Sequence, residues 1–151
     1  MYKRILVPLE HSPYDAAIID HVRELAKFSG ASIVLIHVAD GWAARNVKQL
    51  NLRESEEMRS DREYLETMCA SLEASGLKAE CLLAGGDPSK EITAAATREN
   101  VDLIAMSTHG HRFIKDLLYG SVANEVRHAS RIPVLLVRGK RTSNSSGPAP
   151  T

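Results

Sequence analysis

The chain alternates short apolar runs with longer segments in which apolar residues recur at helical spacing. Five runs have the length of β-strands, and they cover residues 5–7, 33–38, 77–83, 101–106 and 133–137. The second run is apolar almost throughout, which is typical of a strand buried on both faces of a parallel sheet. The third alternates apolar with polar residues, which indicates a less buried strand near an edge.

Four amphipathic helices are predicted between these runs. The apolar stripes of the first three contain Ile18, Val22 and Leu25, then Met58, Leu65, Met68 and Leu72, then Ile92 and Ala96. We interpret the methionines as core filler. Gly30 and Gly76 stand where the first two helices should end, and Pro88 begins the third. The fourth runs from about Gly120 to Ala129.

Repeated strand–helix alternation determines the fold class that we expect. The pattern predicts a single α/β domain built on a doubly wound sheet of five parallel strands with right-handed connections.

Two segments fall outside the strand–helix pattern. Residues 41–57 are either a mobile flap over a site or the start of a helix, and the sequence leaves both open. The tail, residues 139–151, is almost devoid of apolar residues and is predicted to be disordered, so the domain covers residues 1–138.

Length and charge exclude several classes of protein. The chain has 151 residues with 19 basic and 19 acidic side chains, so no broad positive field favours nucleic acid or an anionic membrane. No apolar run approaches membrane-spanning length, and no cleavage-site pattern follows the N-terminus. Cys69 and Cys81 lack metal-ligand spacing, so we expect two unbridged thiols and a cytoplasmic location.

Two small-residue segments form a candidate anion cradle. The sequence Ser107-Thr108-His109-Gly110 follows the fourth strand, and Gly120-Ser121 comes nine residues later. Gly110 and Gly120 have no Cβ, so backbone N–H groups can approach a ligand closely. A helix that begins near Ser121 would add unpaired N–H groups and the positive end of its dipole. The pattern therefore predicts a site for a phosphate-bearing ligand.

The carboxyl ends of the strands place this cradle in one crevice with the end of the first strand. Ligands of open parallel sheets bind there, so we expect Glu10 and Ser107 to face the same crevice. The chain has neither a P-loop nor a dinucleotide fingerprint. His109 and His111 are too few to predict a protein-bound metal, and His37 is predicted to be a hydrogen-bonded core histidine.

Five stretches together resemble the universal stress protein family. They read ILVPLEHS at 5–12, LIHV at 35–38, GDP at 86–88, MSTHG at 106–110 with Gly120-Ser121 beyond, and PVLLVR at 133–138. The resemblance covers about residues 2 to 138. It implies a flavodoxin-like fold, also described as adenine-nucleotide α-hydrolase-like, with strand order 3-2-1-4-5. It further implies an ATP site and a homodimer, formed through the last strand from Pro133 to Arg138.

The resemblance also implies roles for particular residues. Pro8, Leu9 and Glu10 would flank adenine and ribose, and the backbone of Val38 would read the adenine edge. The ribose and phosphate loop would be lined by Met106, Ser107, His109 and Gly110, and the terminal phosphates would be held by Gly120, Ser121 and Val122. Two residues depart from the family pattern, because Ser107 stands where the motif usually begins with Gly and Glu10 replaces the usual Asp.

Three functions are compatible with these features. The first is a cytoplasmic stress-response module or switch that binds ATP, with Mg²⁺ carried by the phosphates, and signals to an unknown protein partner. The second is a slow ATP hydrolase, although the sequence offers no catalytic nucleophile with its base. The third is a family member that acts through protein interactions without nucleotide.

Overall fold

Five parallel strands form one sheet in the order β3-β2-β1-β4-β5. The structure is a computed structural model, and it describes residues 1–40, 51–108 and 114–139. In chain order the elements are β1 (Arg4–Pro8), α1 (Asp15–Ser29), β2 (Ser32–Asp40), α2 (Asn51–Ala74), β3 (Ala79–Gly86), α3 (Pro88–Arg98), β4 (Leu103–Thr108), α4 (Ile114–Ala129) and β5 (Val134–Arg138). The predicted α/β class and strand order are confirmed.

Helices cover both faces of the sheet and bury two apolar clusters. Successive residues of a strand point to opposite faces, so Ile5 and Val7 pack with α1 and α2, whereas Leu6 packs with α3 and α4. All three are fully buried. The strand β1 is therefore the centre of the domain, and the loop that leaves it starts from a rigid base.

Local signals end and begin the helices where the sequence predicts. Gly30 adopts the left-handed conformation (φ 77°), and its N–H donates to the carbonyl oxygen of Ala26 at 2.8 Å. The side chain of Asp87 caps α3 by accepting a hydrogen bond from the N–H of Lys90 at 3.1 Å, and Pro88 follows the cap. These contacts satisfy backbone groups that would otherwise lack partners at helix ends.

Three predicted boundaries are wrong. The strand β3 begins at Ala79 and continues to Gly86, where it still pairs with β2, instead of covering residues 77–83. The strand β4 continues through Ser107 and Thr108, because β5 pairs with both of them. The helix α4 begins at Ile114 rather than near Gly120. Residues 114–119 contain neither glycine nor proline, so nothing in them opposes an early helix start.

Other predictions are resolved in part. The helix α2 begins at Asn51, so the later part of segment 41–57 is the start of a helix. Residues 41–50 and the tail beyond Gly139 lie outside the described residues. The methionine Met58 is 44% exposed and therefore is not core filler.

The two cysteines are unbridged, as predicted, and they lie between α2 and β3. Cys69 is buried, and the half-buried Cys81 packs against the same apolar cluster. Burial, with the adjacent Cys81 thiol, raises the pKa of Cys69 to about 12. Because thiolates are the reactive form, Cys69 is a structural residue at neutral pH.

At the amino ends of the strands, one carboxylate joins β1 to β4. Asp102 accepts hydrogen bonds from the backbone N–H groups of Lys3 at 2.8 Å and Arg4 at 3.0 Å. Burial opposes ionisation of Asp102, but these donors outweigh it and hold its pKa below the ordinary value. The charged carboxylate is thus favoured in the folded state.

We expect Asp102→Asn to destabilise the protein in a pH-dependent way. A carboxyl group whose pKa is lowered by folding stabilises above its unfolded pKa and loses this contribution as the pH falls. The variant should therefore lose about 1–2 kcal/mol at pH 7, and the difference should shrink below about pH 4. Urea unfolding at both pH values measures it. Asp20→Asn, at a carboxylate 73% exposed, is the control and should change stability little; a pH-independent loss at Asp102 would contradict the prediction.

Candidate functional site

A notch opens where β1 ends before its neighbours do. The register of β1 with β2 stops at Pro8 and Ile36, whereas β2 and β3 remain paired as far as Asp40 and Gly86. On the other side β4 continues through Thr108. We call the space beyond Leu9, between residues 37–40 and 105–108, the notch. It lies at the carboxyl ends of the strands, where ligands of such sheets bind.

One residue of β2 presents its backbone to the notch. The carbonyl of Ile36 points toward β1, since it accepts a hydrogen bond from the N–H of Leu9 at 2.7 Å. In a strand the backbone groups of residues two apart point the same way, so the N–H and C=O of Val38 also point to this side. Beyond Leu9, β1 supplies no partner for them. A planar ligand edge with one donor and one acceptor fits this pair.

A buried carboxylate shapes the loop that leaves β1. Asp15 is 1% exposed and begins α1. It accepts hydrogen bonds from the backbone N–H groups of Glu10, His11 and Ser12 at 3.0, 2.9 and 3.2 Å. It also accepts one from the hydroxyl of Tyr64 at 2.6 Å. Asp15 therefore fixes the path of residues 10–12 beside the notch.

Our sequence reasoning missed Asp15, although a signal for it was present. Ser12-Pro13-Tyr14-Asp15 is the S-x-x-D pattern of a helix capping box. Only half of the box is formed: the Ser12 N–H donates to the Asp15 carboxylate, whereas the Ser12 hydroxyl accepts from the N–H of Tyr14 at 3.3 Å rather than from that of Asp15. The loop also holds His11 at φ 61°, a left-handed conformation that few non-glycine residues adopt.

Side chains of α2 reach the same loop. The ring of Tyr64 stacks on His11 with the centroids 4.0 Å apart. Burial, followed by the hydrogen bond to Asp15, raises the pKa of Tyr64 well above its ordinary value. The tyrosine thus remains a hydrogen-bond donor to Asp15 throughout the neutral range.

One carboxylate of α2 contacts two histidines. Asp61 Oδ1 lies 2.7 Å from Nδ1 of His11, and its Oδ2 lies 3.4 Å from Nε2 of His37. The other ring nitrogen of His37, Nδ1, lies 2.8 Å from the carbonyl oxygen of Leu9. The expectation of a hydrogen-bonded His37 is confirmed, whereas no sequence pattern indicated Asp61. We call Asp15, Tyr64, Asp61, His11 and His37 the loop clamp.

The carboxylate of Glu10 stands at the rim of the notch. Its Oε2 accepts a hydrogen bond from the hydroxyl of Ser12 at 3.0 Å, and its backbone is held by Asp15. Because β1 and β4 are neighbours, Glu10, which follows β1, and Ser107, which lies within β4, are both at the carboxyl end of the sheet. Their relative position is therefore determined by the sheet.

The hydroxyl of Ser107 is enclosed by packing. The residue is 5% exposed, and its Oγ has no hydrogen-bond partner among the described residues. A Cβ atom placed on Gly139 would lie 2.7 Å from this Oγ and 3.2 Å from the side chain of Tyr14. Gly139, which our sequence analysis assigned to the tail, therefore provides the room that Ser107 occupies.

The remaining predicted site residues belong to the start of α4 and the loop before it. Since α4 begins at Ile114, Gly120 and Ser121 lie inside the helix and not at its N-terminus. Their N–H groups, with that of Val122, belong to the helical hydrogen-bond ladder. The predicted helix-end cradle at Gly120-Ser121 is therefore wrong. His109 and Gly110 lie outside the described residues.

Among residues 1–40, 51–108 and 114–139, no group of three or more His, Cys, Asp or Glu side chains is arranged to hold a metal ion. Within the same ranges no helix is both long and apolar enough to cross a membrane.

Comparison with known proteins identifies the family. A profile of the Universal stress protein family matches residues 1–138. The chain belongs to this family. It is 28% identical to universal stress protein MJ0577 of Methanocaldococcus jannaschii, across 94% of this chain and 98% of that protein. It is 26% identical to universal stress protein YxiE of Bacillus subtilis, across 91% of this chain and 100% of that protein.

Solved structures of family members have the same fold. The structure of MJ0577 matches with a TM-score of 0.81 at 30% identity, covering 94% of this chain and 99% of that one. A universal stress protein in complex with cAMP matches with a TM-score of 0.66 at 20% identity, covering 92% and 98%. One from Archaeoglobus fulgidus in complex with dAMP matches with a TM-score of 0.63 at 20% identity, covering 89% and 97%.

We predict that Ser107 and Gly139 are energetically coupled. Gly139→Ala should destabilise the protein by about 1–3 kcal/mol, because the added methyl group meets Ser107 and Tyr14. In a Ser107→Gly background the same substitution should cost at least about 0.5 kcal/mol less. Urea unfolding of the wild type, both single variants and the double variant measures the coupling. Strictly additive effects would show that the two residues do not share this space.

We also predict that Tyr64 does not ionise in the folded protein. A tyrosine whose pKa is raised by folding stabilises at neutral pH, and this contribution declines as the pH rises past about 10. The wild type and Tyr64→Phe should therefore show the same rise in absorbance at 295 nm up to the pH at which they unfold. In denaturant, the wild type should show one additional ionising tyrosine. A difference between the native curves would contradict the prediction.

Proposed function

We propose that this chain binds ATP and works as a nucleotide-dependent binding module or switch in a stress response. The notch carries the proposal, because it combines a stretch of β2 that extends beyond its pairing with β1 with a rigid loop at the carboxyl ends of the central strands. Two family proteins with this fold are complexes with the adenine nucleotides cAMP and dAMP. The chemistry they share, an adenine with a pentose and a phosphate, suits a site with these components.

In this proposal the base and sugar occupy the notch. The Val38 N–H and C=O are suited to the donor and acceptor on the adenine edge. Pro8 and Leu9 would support the base, and the Glu10 carboxylate would accept hydrogen bonds from the ribose hydroxyls. Met106 and Ser107 would form the wall on the β4 side. This wall would be uncharged, because the buried side chain of Ser107 carries only a hydroxyl group.

The phosphates would extend from the notch toward α4. His109 and Gly110 would line their path, and Mg²⁺ would arrive with the phosphates and keep most of its water ligands. Because Gly120, Ser121 and Val122 lie within α4, we propose that the exposed Ser121 side chain and the backbone of Gly120 contact the terminal phosphates. A glycine in the helix permits that close approach.

We further propose that two copies pair through their β5 strands. The strand forms one edge of the sheet, and Leu136 on it is 46% exposed. An unpaired edge with an exposed apolar side chain is a template for association. The dimer would act in the cytoplasm and present the bound or empty state of its sites to a protein partner.

The first experiment asks whether the protein carries an adenine nucleotide. Freshly purified protein is denatured, and the supernatant is analysed by chromatography and mass spectrometry. We expect ATP, or ADP if the protein hydrolyses ATP slowly. Titration of nucleotide-free protein with ATP and Mg²⁺ should give saturable binding. If neither experiment detects nucleotide, the chain is a family member that acts through protein interactions alone.

We expect Gly120→Val to reduce ATP binding by at least about tenfold while the protein stays folded, because the branched side chain blocks the approach of phosphate. Valine is tolerated within a helix, so the fold should persist. Isothermal titration calorimetry measures the affinity, and circular dichroism monitors the fold. Asn124→Val places the same side chain later in α4 and is the matched control. Unchanged affinity in Gly120→Val would refute the phosphate position.

A further inference from the structure

The loop that follows β1 has no backbone hydrogen-bond donor left for a ligand. Between residues 9 and 15 every backbone N–H donates to an acceptor of the protein, and Pro13 has no N–H. Three of these groups converge on the Asp15 carboxylate, and the others reach carbonyl or hydroxyl oxygens of Ile36 and Ser12. The hydroxyl of Ser12 itself donates to Glu10 at 3.0 Å.

The backbone of this loop and the side chain of Glu10 therefore offer a ligand only acceptors. A carboxylate accepts hydrogen bonds and donates none. The ring of His11 is turned to α2, where it stacks on Tyr64 and its Nδ1 lies 2.7 Å from Asp61. Loops that bind phosphate have the opposite character, because their backbone N–H groups point at the anion. This loop is suited to ligand hydroxyl groups and unsuited to phosphate.

The same contacts keep the loop from rearranging around a phosphate. Asp15 is 1% exposed, so a donor taken from it would leave a buried carboxylate short of a hydrogen bond, which costs free energy. The rest of the loop clamp holds the same segment, since Tyr64 donates to Asp15 at 2.6 Å and His37 contacts the carbonyl oxygen of Leu9 at 2.8 Å. The acceptor surface is thus in place before a ligand binds.

An adenine that hydrogen-bonds to the Val38 backbone would direct its sugar toward this loop. Neighbouring strands lie about 4.8 Å apart, and the bond to the sugar leaves adenine on the side away from its pairing edge. A base that extends from β2 across the end of β1 therefore brings its sugar past Leu9 to Glu10. There the 3′-hydroxyl can donate to the carboxylate.

A 3′,5′-cyclic nucleotide presents different chemistry at the same place. Its 3′ oxygen is esterified and has no proton to donate, and the phosphate oxygens beside it can only accept. Acceptors of the ligand would then face the acceptors of the loop. Each would lose its water without gaining a hydrogen bond, which is a common basis for rejecting a wrong ligand.

We propose that Glu10 is a specificity-determining residue that selects adenine nucleotides with a free 3′-hydroxyl and rejects 3′,5′-cyclic and 3′-phosphorylated ones. The inference rests on the proposed function, because that function places the ribose beside Glu10. It narrows the ligand to nucleotides such as ATP, whose phosphates are attached at the 5′ position alone. The donor-depleted loop from residue 9 to residue 15 supplies the selectivity.

The test compares ATP, 3′-deoxy-ATP and 3′,5′-cyclic AMP as ligands, by isothermal titration calorimetry with Mg²⁺ at neutral pH. 3′-Deoxy-ATP carries the phosphates of ATP and lacks only the hydroxyl. The wild type should bind it about three- to tenfold more weakly than ATP. It should bind cyclic AMP at least about tenfold more weakly than ATP.

In Glu10→Gln both affinity ratios should shrink at least about threefold. A neutral amide oxygen accepts a hydrogen bond more weakly than a carboxylate does, and the amide nitrogen can donate to a phosphate oxygen. Comparing each ratio between two proteins cancels the differences in charge and phosphate number among the ligands. Glu66→Gln makes the same change on the exposed face of α2 and should keep the wild-type ratios. Glu10→Asp retains the carboxylate and should keep the order of affinities.

Two kinds of result would overturn the inference, and they differ in what they mean for the proposed function. If the wild type binds ATP but binds cyclic AMP as tightly, or if Glu10→Gln keeps the wild-type ratios, selection by Glu10 is refuted and nucleotide binding stands. If the wild type does not bind ATP, the proposed function is refuted together with the inference. Circular dichroism of each variant establishes that the fold is intact.

Discussion

The hydrogen bonding of the buried Asp15 carboxylate is the constraint on which the candidate site depends. Three consecutive backbone N–H groups and a tyrosine hydroxyl converge on it. Burying a carboxylate costs free energy unless hydrogen-bond donors surround it. Here the chain bends so that the donors surround Asp15. The bend explains the left-handed conformation of His11 and holds Glu10 at the rim of the notch. It also requires α2 to lie where Tyr64 can reach Asp15.

Much of the fold follows from patterns that physical chemistry imposes on sequence. Parallel strands buried on both faces are apolar throughout, and the apolar residues of amphipathic helices recur every three to four positions, so the element types were predictable. The strand order was implied by the resemblance to the universal stress protein family. Helix α4 was misjudged because glycine was treated as a helix start, whereas the six residues before Gly120 continue the helix. The extension of β4 through Ser107 depends on pairing with β5, a distant contact that local sequence does not reveal.

Prediction of the site was limited in the same way. The ends of β1, β2 and β4 could be placed at one edge from the strand order, so Glu10, Val38 and Ser107 could be grouped. Asp61 and Tyr64 could not be added to this group, because α2 approaches the loop through tertiary packing, which the apolar stripe of the helix does not reveal. Gly139 was missed for another reason: its role appears only when the space around the unusual Ser107 is known. Departures from a family pattern are best interpreted together with the residues that accommodate them.

The position of β1 in the sheet has a consequence for how the chain acquires its structure. Ile5 pairs with Ile33 on one side and with Leu103 on the other. During synthesis the first neighbour is available early, whereas the second emerges only after two thirds of the chain. The half-sheet of β1, β2 and β3 can thus assemble first with α1 and α2, while the other edge of β1 stays unpaired until β4 is available. Pairing β1 with β4 closes the long stretch of chain between them, and the entropy lost in this step is lost late in folding. The strand order therefore favours a particular order of assembly.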